Sequence, residues 1–422
     1  MKKLVVYSHD TFGLGNIKRM LAITQHLLDT IPELSVLLIS GSPMIHSFRL
    51  PEKRFDYLKL PCLGRTVKGE YTVKKLGTSF DELVAVRTQI IQATVANFDP
   101  DIMLVDKKPR GVADELMPTL ELVQGKRKRT EVILLLRDIL DAPETTSKIW
   151  WKNDYFGSID RYYSSILVMG SANVFDVSKE YRFPSQTARK LDYCGYTRRF
   201  ASKTTSDTTA FFSSRNRPSV LVTAGGGEDG FDLINNYLSG LKQHAKHELN
   251  SLIITGPEMS SSNKDIIQQV AEKLEHVQVL EFTPHLTDYM READLVVSMA
   301  GYNTIVEILS MNKRAVVIPR VKPVQEQLIR AMRLEQLGLL RCVAPPELTP
   351  HGLMDAVTEQ LAKREQPIDA TQRINFEGLP NLTGIFEKVF DGCADTIPSK
   401  RRLFGRSATP CYATGERVCL VS

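Results

Sequence analysis

At 422 residues the chain is long enough for two domains with substantial cores. Hydrophobic residues make up 42% and charged residues 24%, and the formal charge of +5 permits an anionic substrate but is too small to argue for nucleic acid. Cys62, Cys194, Cys342, Cys393, Cys411 and Cys419 are scattered without a Cys-x-x-Cys pair. That pattern excludes zinc spacing and a disulfide framework, and it reads as reduced thiols in a cytoplasmic protein.

The apolar run after Lys2 and Lys3 is too short for a signal peptide, so Leu4 to Tyr7 is a first strand. No run approaches the length of a membrane span, and any membrane contact is expected to be peripheral. After Gly13-Leu14-Gly15-Asn16, the spacing of Ile17, Met20, Leu21, Leu27 and Leu28 predicts a helix. Leu34 to Ile39 is the next strand, which completes the βαβ opening of a doubly wound parallel sheet. Lys18 stands where a dinucleotide fingerprint needs its third glycine, and no acidic residue closes the second strand, so NAD is not expected. In the first loop His9 carries an imidazole, the side chain whose ordinary pKa lies near neutrality, and has Asp10 beside it, so these two are the candidate catalytic base. The plainer alternative is that His9 only hydrogen-bonds the loop backbone.

Leu50 to Gly77 is polar and irregular, with Lys59, Arg65, Lys68, Lys74 and Lys75, and it is a candidate acceptor-side loop. Phe80 to Phe98 is a helix and Ile102 to Val105 a strand. Asp106, Lys107, Lys108 and Arg110 follow at its carboxyl end, where ligands gather in open α/β sheets. Val132 to Leu136 is a strand ending in Arg137-Asp138, expected to form a structural ion pair with each other. Trp150, Trp151, Tyr155 and Phe156 form an aromatic cluster, for packing or for stacking on a sugar or lipid.

Gly195 to Pro218 is polar and weakly patterned, which sets a first domain over 1–200 and a second over 216–391. Val220 to Thr223 starts a new sheet, and Gly225-Gly226-Gly227 lets backbone approach a ligand before the helix Leu233 to Leu241. Leu252 to Thr255 and Val277 to Phe282 continue the sheet. Leu295 to Val297 is a buried strand, and Gly301-Tyr302-Asn303-Thr304 is a tight turn with Thr304 as helix cap. A strand, a glycine turn and a helix start together make an anion site. Glu307 lies one turn past Thr304, where a carboxylate suits a pair of sugar hydroxyls. Ala315 to Pro319 is strand-like, and Gln325-Glu326-Gln327 opens an amphipathic helix that Gly338 closes. Phe386, Val389 and Phe390 suit a last helix, and residues 396–422 read as a flexible basic tail.

The stretch Ala293-Asp294-Leu295-Val296-Val297-Ser298-Met299-Ala300-Gly301-Tyr302-Asn303-Thr304-Ile305-Val306-Glu307 resembles the donor-nucleotide motif of GT-B glycosyltransferases of the family 28 type. That group includes the N-acetylglucosaminyltransferase of the peptidoglycan lipid intermediate. The resemblance implies an α/β chain of two doubly wound Rossmann-like domains facing a cleft, with the last helix returning to the first domain. It places the donor diphosphate at Gly301, the ribose at Glu307, and further donor contacts at Asn303, Thr304, Gln325 and Gln327. It also turns Gly225, Gly226 and Gly227 toward the diphosphate and sets Phe282 near the base. The first loop, Tyr7 to Arg19, resembles that of a predicted bacterial glycosyltransferase group, and there it approaches acceptor and donor phosphates, which brings in Gly15 and Asn16. In that group His usually follows the second glycine. Asn16 takes no proton at neutral pH, so the base falls to His9 or Asp10.

The implied reaction moves a hexosyl group from a nucleotide-diphosphate sugar, a UDP-sugar, to an acceptor hydroxyl, lipid-linked or on a polysaccharide. No cofactor and no metal are expected, because GT-B enzymes act without a bound metal as a rule. The expected location is cytoplasmic, at the inner face of the membrane. The alternatives are a UDP-sugar 2-epimerase and a non-catalytic nucleotide-sugar binding protein, the latter favoured by Asn16.

Overall fold

The structure is a computed structural model that describes residues 2–9, 15–66, 71–125, 130–198, 212, 217–243 and 249–392. Its strands are β1 (Lys2–Ser8), β2 (Leu34–Ser40), β3 (Phe55–Lys59), β4 (Leu63–Arg65), β5 (Tyr71–Val73), β6 (Ile102–Asp106), β7 (Glu131–Arg137), β8 (Ser165–Met169) and β9 (Leu191–Tyr193) in the first half. The second half has β10 (Ser219–Thr223), β11 (Asn250–Ile254), β12 (Val277–Leu280), β13 (Leu295–Met299), β14 (Ala315–Ile318) and β15 (Arg341–Cys342). One sheet has the order β3-β2-β1-β6-β7-β8-β9 and the other β12-β11-β10-β13-β14-β15. Every pairing within these two sheets is parallel.

The central strands are short, apolar and buried along their whole length, as in β6, β8 and β10, because helices cover both faces of each sheet. The order of strand addition reverses between β1 and β6 in the first sheet and between β10 and β13 in the second. These are the switch points where loops splay apart and leave a crevice at the carboxyl ends of the strands. Tyr7 pairs with Val105 at one switch point, and Thr223 with Ser298 at the other.

Segment 50–77 is more ordered than its polarity suggests. It contributes β3 to the sheet edge, and β4 and β5 form an antiparallel hairpin. Among the described residues no helix is long and apolar enough to cross a membrane. The expected tail, 396–422, lies outside the described residues, as do Cys393, Cys411 and Cys419.

The chain crosses between the sheets twice, and the two crossings touch. Tyr196 N donates to Asn375 O at 2.8 Å, Gly378 N donates to Tyr196 O at 3.1 Å, and Thr197 bridges Glu377. Gly195 sits at φ +102°, and a β-carbon there would lie 2.9 Å from Asn375 O, so the crossing needs glycine. The helix Gly378–Phe390 then returns to the first domain, where Leu382 and Phe386 are fully buried with Ile17, Met20 and Leu27. Each such side chain contributes about 1.5–3 kcal/mol of burial.

Candidate functional site

In the second sheet the loops after β10, β13 and β14 lie side by side, because those strands are neighbours. Gly301, at φ −64° and ψ 141°, caps the helix Tyr302–Ser310. Thr304, expected as the cap, is instead the third residue of the helix. The extended glycine already turns the chain, and no side chain caps it. Ile305 N makes the first helical bond, to Gly301 O at 2.9 Å. The amides of Tyr302, Asn303 and Thr304 precede that bond and point out of the helix end. A β-carbon on Gly301 would meet nothing within 4 Å, so the turn opens onto free space. Glu307 lies one turn along the helix and is 9% exposed.

The three glycines after β10 do different things. Gly227 (φ +102°) would put a β-carbon 2.5 Å from Thr255 O, and Gly226 would put one 2.6 Å from Glu258 Oε2. Packing against the turn after β11 requires Gly227, whereas at Gly226 the neighbour is the tip of a long side chain that can swing away. Gly225 (φ +68°) faces open space. Arg320 ties this loop to the helix Glu326–Gln336: its Nη1 donates to Asp229 Oδ2 at 2.8 Å, and its Nη2 lies 3.6 Å from Glu326 Oε1. Its backbone N donates to Gln327 Oε1 at 3.3 Å, so the Gln327 amide oxygen is engaged. Gln325 is exposed, and its backbone N reaches across to Asp141 Oδ1 at 2.9 Å. Phe282 is 63% exposed just beyond β12, the edge strand.

In the first sheet Gly15 opens the helix Gly15–Thr30, two residues earlier than the apolar spacing marks. A β-carbon on Gly15 would also meet open space. Both ends of the Asn16 side chain are engaged: Nδ2 donates to His9 O at 3.0 Å, and Oδ1 accepts from Arg137 Nη2 at 3.1 Å. His9 is buried, with Nε2 3.1 Å from Tyr71 Oη, and Lys108 Nζ donates to the same hydroxyl at 3.2 Å. An imidazole, a phenol and an ammonium thus form one connected chain at the first switch point, a group able to pass a proton. Asp10 lies outside the described residues. Tyr71 carried no signal beyond one aromatic in a short polar run.

Between the sheets lies a buried charge network. Arg330 donates from Nε to Asp138 Oδ2 at 2.7 Å and from Nη2 to Asp138 Oδ1 at 2.9 Å. It also donates to Glu326 Oε2 at 2.8 Å and to Ala300 O at 3.1 Å, the carbonyl just before the Gly301 turn. Asp138 therefore pairs across the domains and not with Arg137, as expected from their adjacency. Consecutive side chains at a strand end point to opposite sides. Burial alone would raise the Glu326 carboxyl, but the charges of Arg330 and Arg137 outweigh it and hold it at about 2. Tyr302 completes the junction by donating to Met169 O at 2.9 Å. Arg19 forms a buried ion pair with Asp106. Sequence patterning singled out neither Arg19, Arg320 nor Arg330. The one available signal was the Glu326 and Arg330 spacing of four on one helix face.

Residues 219–381 match the family model described as Glycosyltransferase family 28 C-terminal domain. A relative from Clostridium tetani, the UDP-N-acetylglucosamine--N-acetylmuramyl-(pentapeptide) pyrophosphoryl-undecaprenol N-acetylglucosamine transferase, is 25% identical over 179 residues, 42% of this chain and 48% of its own. The chain thus spans about half the length of the curated relatives it matches. Acinetobacter baumannii MurG superposes with a TM-score of 0.60 at 14% identity, over 92% of this chain and 100% of its own. The fold is GT-B. The UDP-GlcNAc 2-epimerase of Neisseria meningitidis, solved with UDP-GlcNAc bound, shares this GT-B architecture with a TM-score of 0.57 at 15% identity, over 93% of this chain and 100% of its own. The family 28 resemblance seen in Ala293 to Glu307 therefore falls inside a matched family 28 module.

Proposed function

We propose that the protein is a metal-independent GT-B hexosyltransferase that takes a UDP-sugar in its second domain and an acceptor hydroxyl in its first. One observation carries this reading: the Gly301 turn, with three outward amides at a switch point, is followed one turn later by buried Glu307. Amides and helix dipole suit a diphosphate, and the carboxylate suits a ribose. They would also stabilise the diphosphate as it leaves, acting where charge develops. The matched family 28 module supports the donor class, and the name of the Clostridium tetani relative supports a lipid-linked acceptor. A polysaccharide acceptor uses the same chemistry, and a cytoplasmic site at the inner face of the membrane suits either.

His9, connected through Tyr71 to Lys108, is the proposed base, because Asn16 is engaged on both sides and takes no proton at neutral pH. Asp10 remains the second candidate for that role. Gly15, Asn16, Gly225, Gly226, Gly227, Phe282, Asn303, Thr304, Gln325 and Gln327 are proposed around the donor. For Gly226 and Gly227 the contact would be through backbone, and for Gln325 through its exposed side chain.

A thermal-shift series with nucleoside diphosphates and their sugar conjugates tests the reading, since a ligand of the native state raises the melting temperature by mass action. Uridine diphosphate is expected to stabilise the wild type and not Glu307→Ala. No shift with any nucleotide would remove the donor site. Conversion of the donor sugar with no acceptor present would favour the epimerase reading, which the Neisseria meningitidis neighbour raises. Binding without turnover would favour a non-catalytic binder.

A further inference from the structure

We infer that Arg330 and Tyr302 are positioning residues for the Gly301 turn, and that through them two first-domain groups, the Asp138 carboxylate and the Met169 carbonyl, set how tightly the second domain holds a nucleoside diphosphate. The inference deepens the proposed donor reading and rests on it for the ligand that the turn meets.

The turn has little of its own to hold it in shape. Gly301 caps the helix without a side-chain capping bond, and a β-carbon there would touch nothing within 4 Å. A glycine so placed has the widest choice of backbone conformations, whereas amides stabilise an anion only when they are already aimed at it. The sheet gives no help, because its last pairing on β13 is Met299 with Ile318, one residue before Ala300.

Both neighbours of Gly301 are pinned instead. On one side, Arg330 Nη1 donates to Ala300 O at 3.1 Å. On the other, Tyr302 Oη donates to Met169 O at 2.9 Å, and the Arg330 guanidinium stands 5.6 Å from the centre of the Tyr302 ring. The first pin also ends in the first domain. Asp138 takes two hydrogen bonds from Arg330, and it accepts a third from Tyr196 Oη at 3.3 Å. Tyr196 lies where the chain crosses between the domains, and its ring centre is 5.7 Å from that of Tyr302.

An arginine is needed for the first pin. Its fork reaches Asp138 through Nε and Nη2, Glu326 through Nη2 and Ala300 through Nη1, all at once. A lysine keeps the charge but has one nitrogen, so it cannot span the carboxylate and the carbonyl together. A buried ion pair is by itself weak evidence for stability. Here the same guanidinium also fixes the backbone on which the three amides turn.

Arg333 supplies a control. It lies three residues further along the same helix and also crosses to the first domain, donating to Glu180 Oε1 at 2.7 Å, but both side chains are partly exposed and the bond ends on Glu180. The variants are Arg330→Lys, Tyr302→Phe and Arg333→Gln in the full-length protein, each checked for native far-UV circular dichroism. Tyr302→Phe keeps the ring and removes one hydroxyl, so it covers the case in which Arg330→Lys fails to fold. Hydrogen–deuterium exchange of the ligand-free protein reads the segment 295–310, and calorimetric titration reads uridine diphosphate. Tyr302→Phe is expected to speed exchange at the start of that helix and to weaken binding roughly fivefold, the share of one hydrogen bond. Arg330→Lys is expected to do both by roughly tenfold or more. Arg333→Gln is expected to match the wild type in both. An equal loss in Arg333→Gln would trace the effect to a loosened domain interface and overturn the positioning. Uridine diphosphate binding that needs Glu307 but keeps wild-type strength in a folded Tyr302→Phe variant would overturn it too, while leaving the donor reading intact. Faster exchange in the two variants of a protein blind to uridine diphosphate would sink the donor reading and keep the pins.

Discussion

Arg330 and Asp138 join the two sheets through two parallel hydrogen bonds, with both side chains buried and 192 positions apart in sequence. Breaking such a pair from one side leaves a buried charge uncompensated, at a cost of about 3–5 kcal/mol. Asp138→Asn and Arg330→Met are each expected to destabilise by that order, while Asp138→Leu combined with Arg330→Met falls well short of the sum. Urea unfolding of the three variants checks this. Single-variant losses under about 1 kcal/mol would put the pair in the class of solvent-screened contacts.

Glu326 gives the junction a pH dependence. Its folded value of about 2 lies below the ordinary 4.5. A depressed carboxyl contributes stability that is complete above its unfolded value and is lost as pH falls from there through the folded value. The loss is on the order of 3 kcal/mol. The stability gap between wild type and Glu326→Gln should therefore narrow as pH drops from about 4.5 toward 2. A gap constant across that range would show that Glu326 does not titrate with folding.

Gly301 and Gly227 should respond oppositely to the same methyl group. Gly301 has ordinary φ and open space, so Gly301→Ala should keep stability within about 0.5 kcal/mol and weaken nucleotide binding by crowding the amides. Gly227 has φ +102° and a carbonyl 2.5 Å from the new carbon, so Gly227→Ala should destabilise by more than about 1 kcal/mol with no ligand present. Melting temperatures with and without uridine diphosphate distinguish the two. If Gly301→Ala binds nucleotide as well as wild type, the turn does not meet the diphosphate.

Removing the Glu307 carboxylate should weaken uridine diphosphate binding by about 1–3 kcal/mol, the range for lost charge-assisted hydrogen bonds. Uridine nucleotides lacking both ribose hydroxyls should bind wild type and Glu307→Ala alike. An undiminished preference for the ribose form in the variant would move the ribose elsewhere.

His9→Gln should lower the transfer rate about 10²–10⁴-fold while leaving donor affinity unchanged. Tyr71→Phe, which keeps the ring and removes the hydroxyl shared with Lys108, should lower it less. A rate unchanged in His9→Gln would turn attention to Asp10.

The strand-turn-helix geometry of the proposed donor half was legible because it is local. A strand, a glycine, a helix start and Glu307 fall within a few consecutive turns, and spacing alone sets them out. The position of the cap was misjudged because Asn303 and Thr304 look like turn residues, whereas Gly301 supplies the extended conformation and both fit a first helical turn. The charge junction was not legible. Arg330 meets Asp138 only through the packing of one domain on the other, and the adjacent Arg137 offered a false partner. Tyr71 was hidden because its hairpin strand is three residues long and half buried.

The paired crossings at Tyr196 and Asn375 make the second domain an insertion within the first. Its entry and exit lie a hydrogen bond apart, so the first domain is continuous in space but not in sequence. A fragment stopping at Tyr196 would leave the groove for Leu382 and Phe386 empty, with apolar surface of the helix Gly15–Thr30 in water. A self-sufficient first domain would instead be made by excising 198–374 and closing the gap with a short turn into the segment from 375 onward. The excised piece, its own ends already neighbours, is suited to circularisation or to transplantation into another host loop.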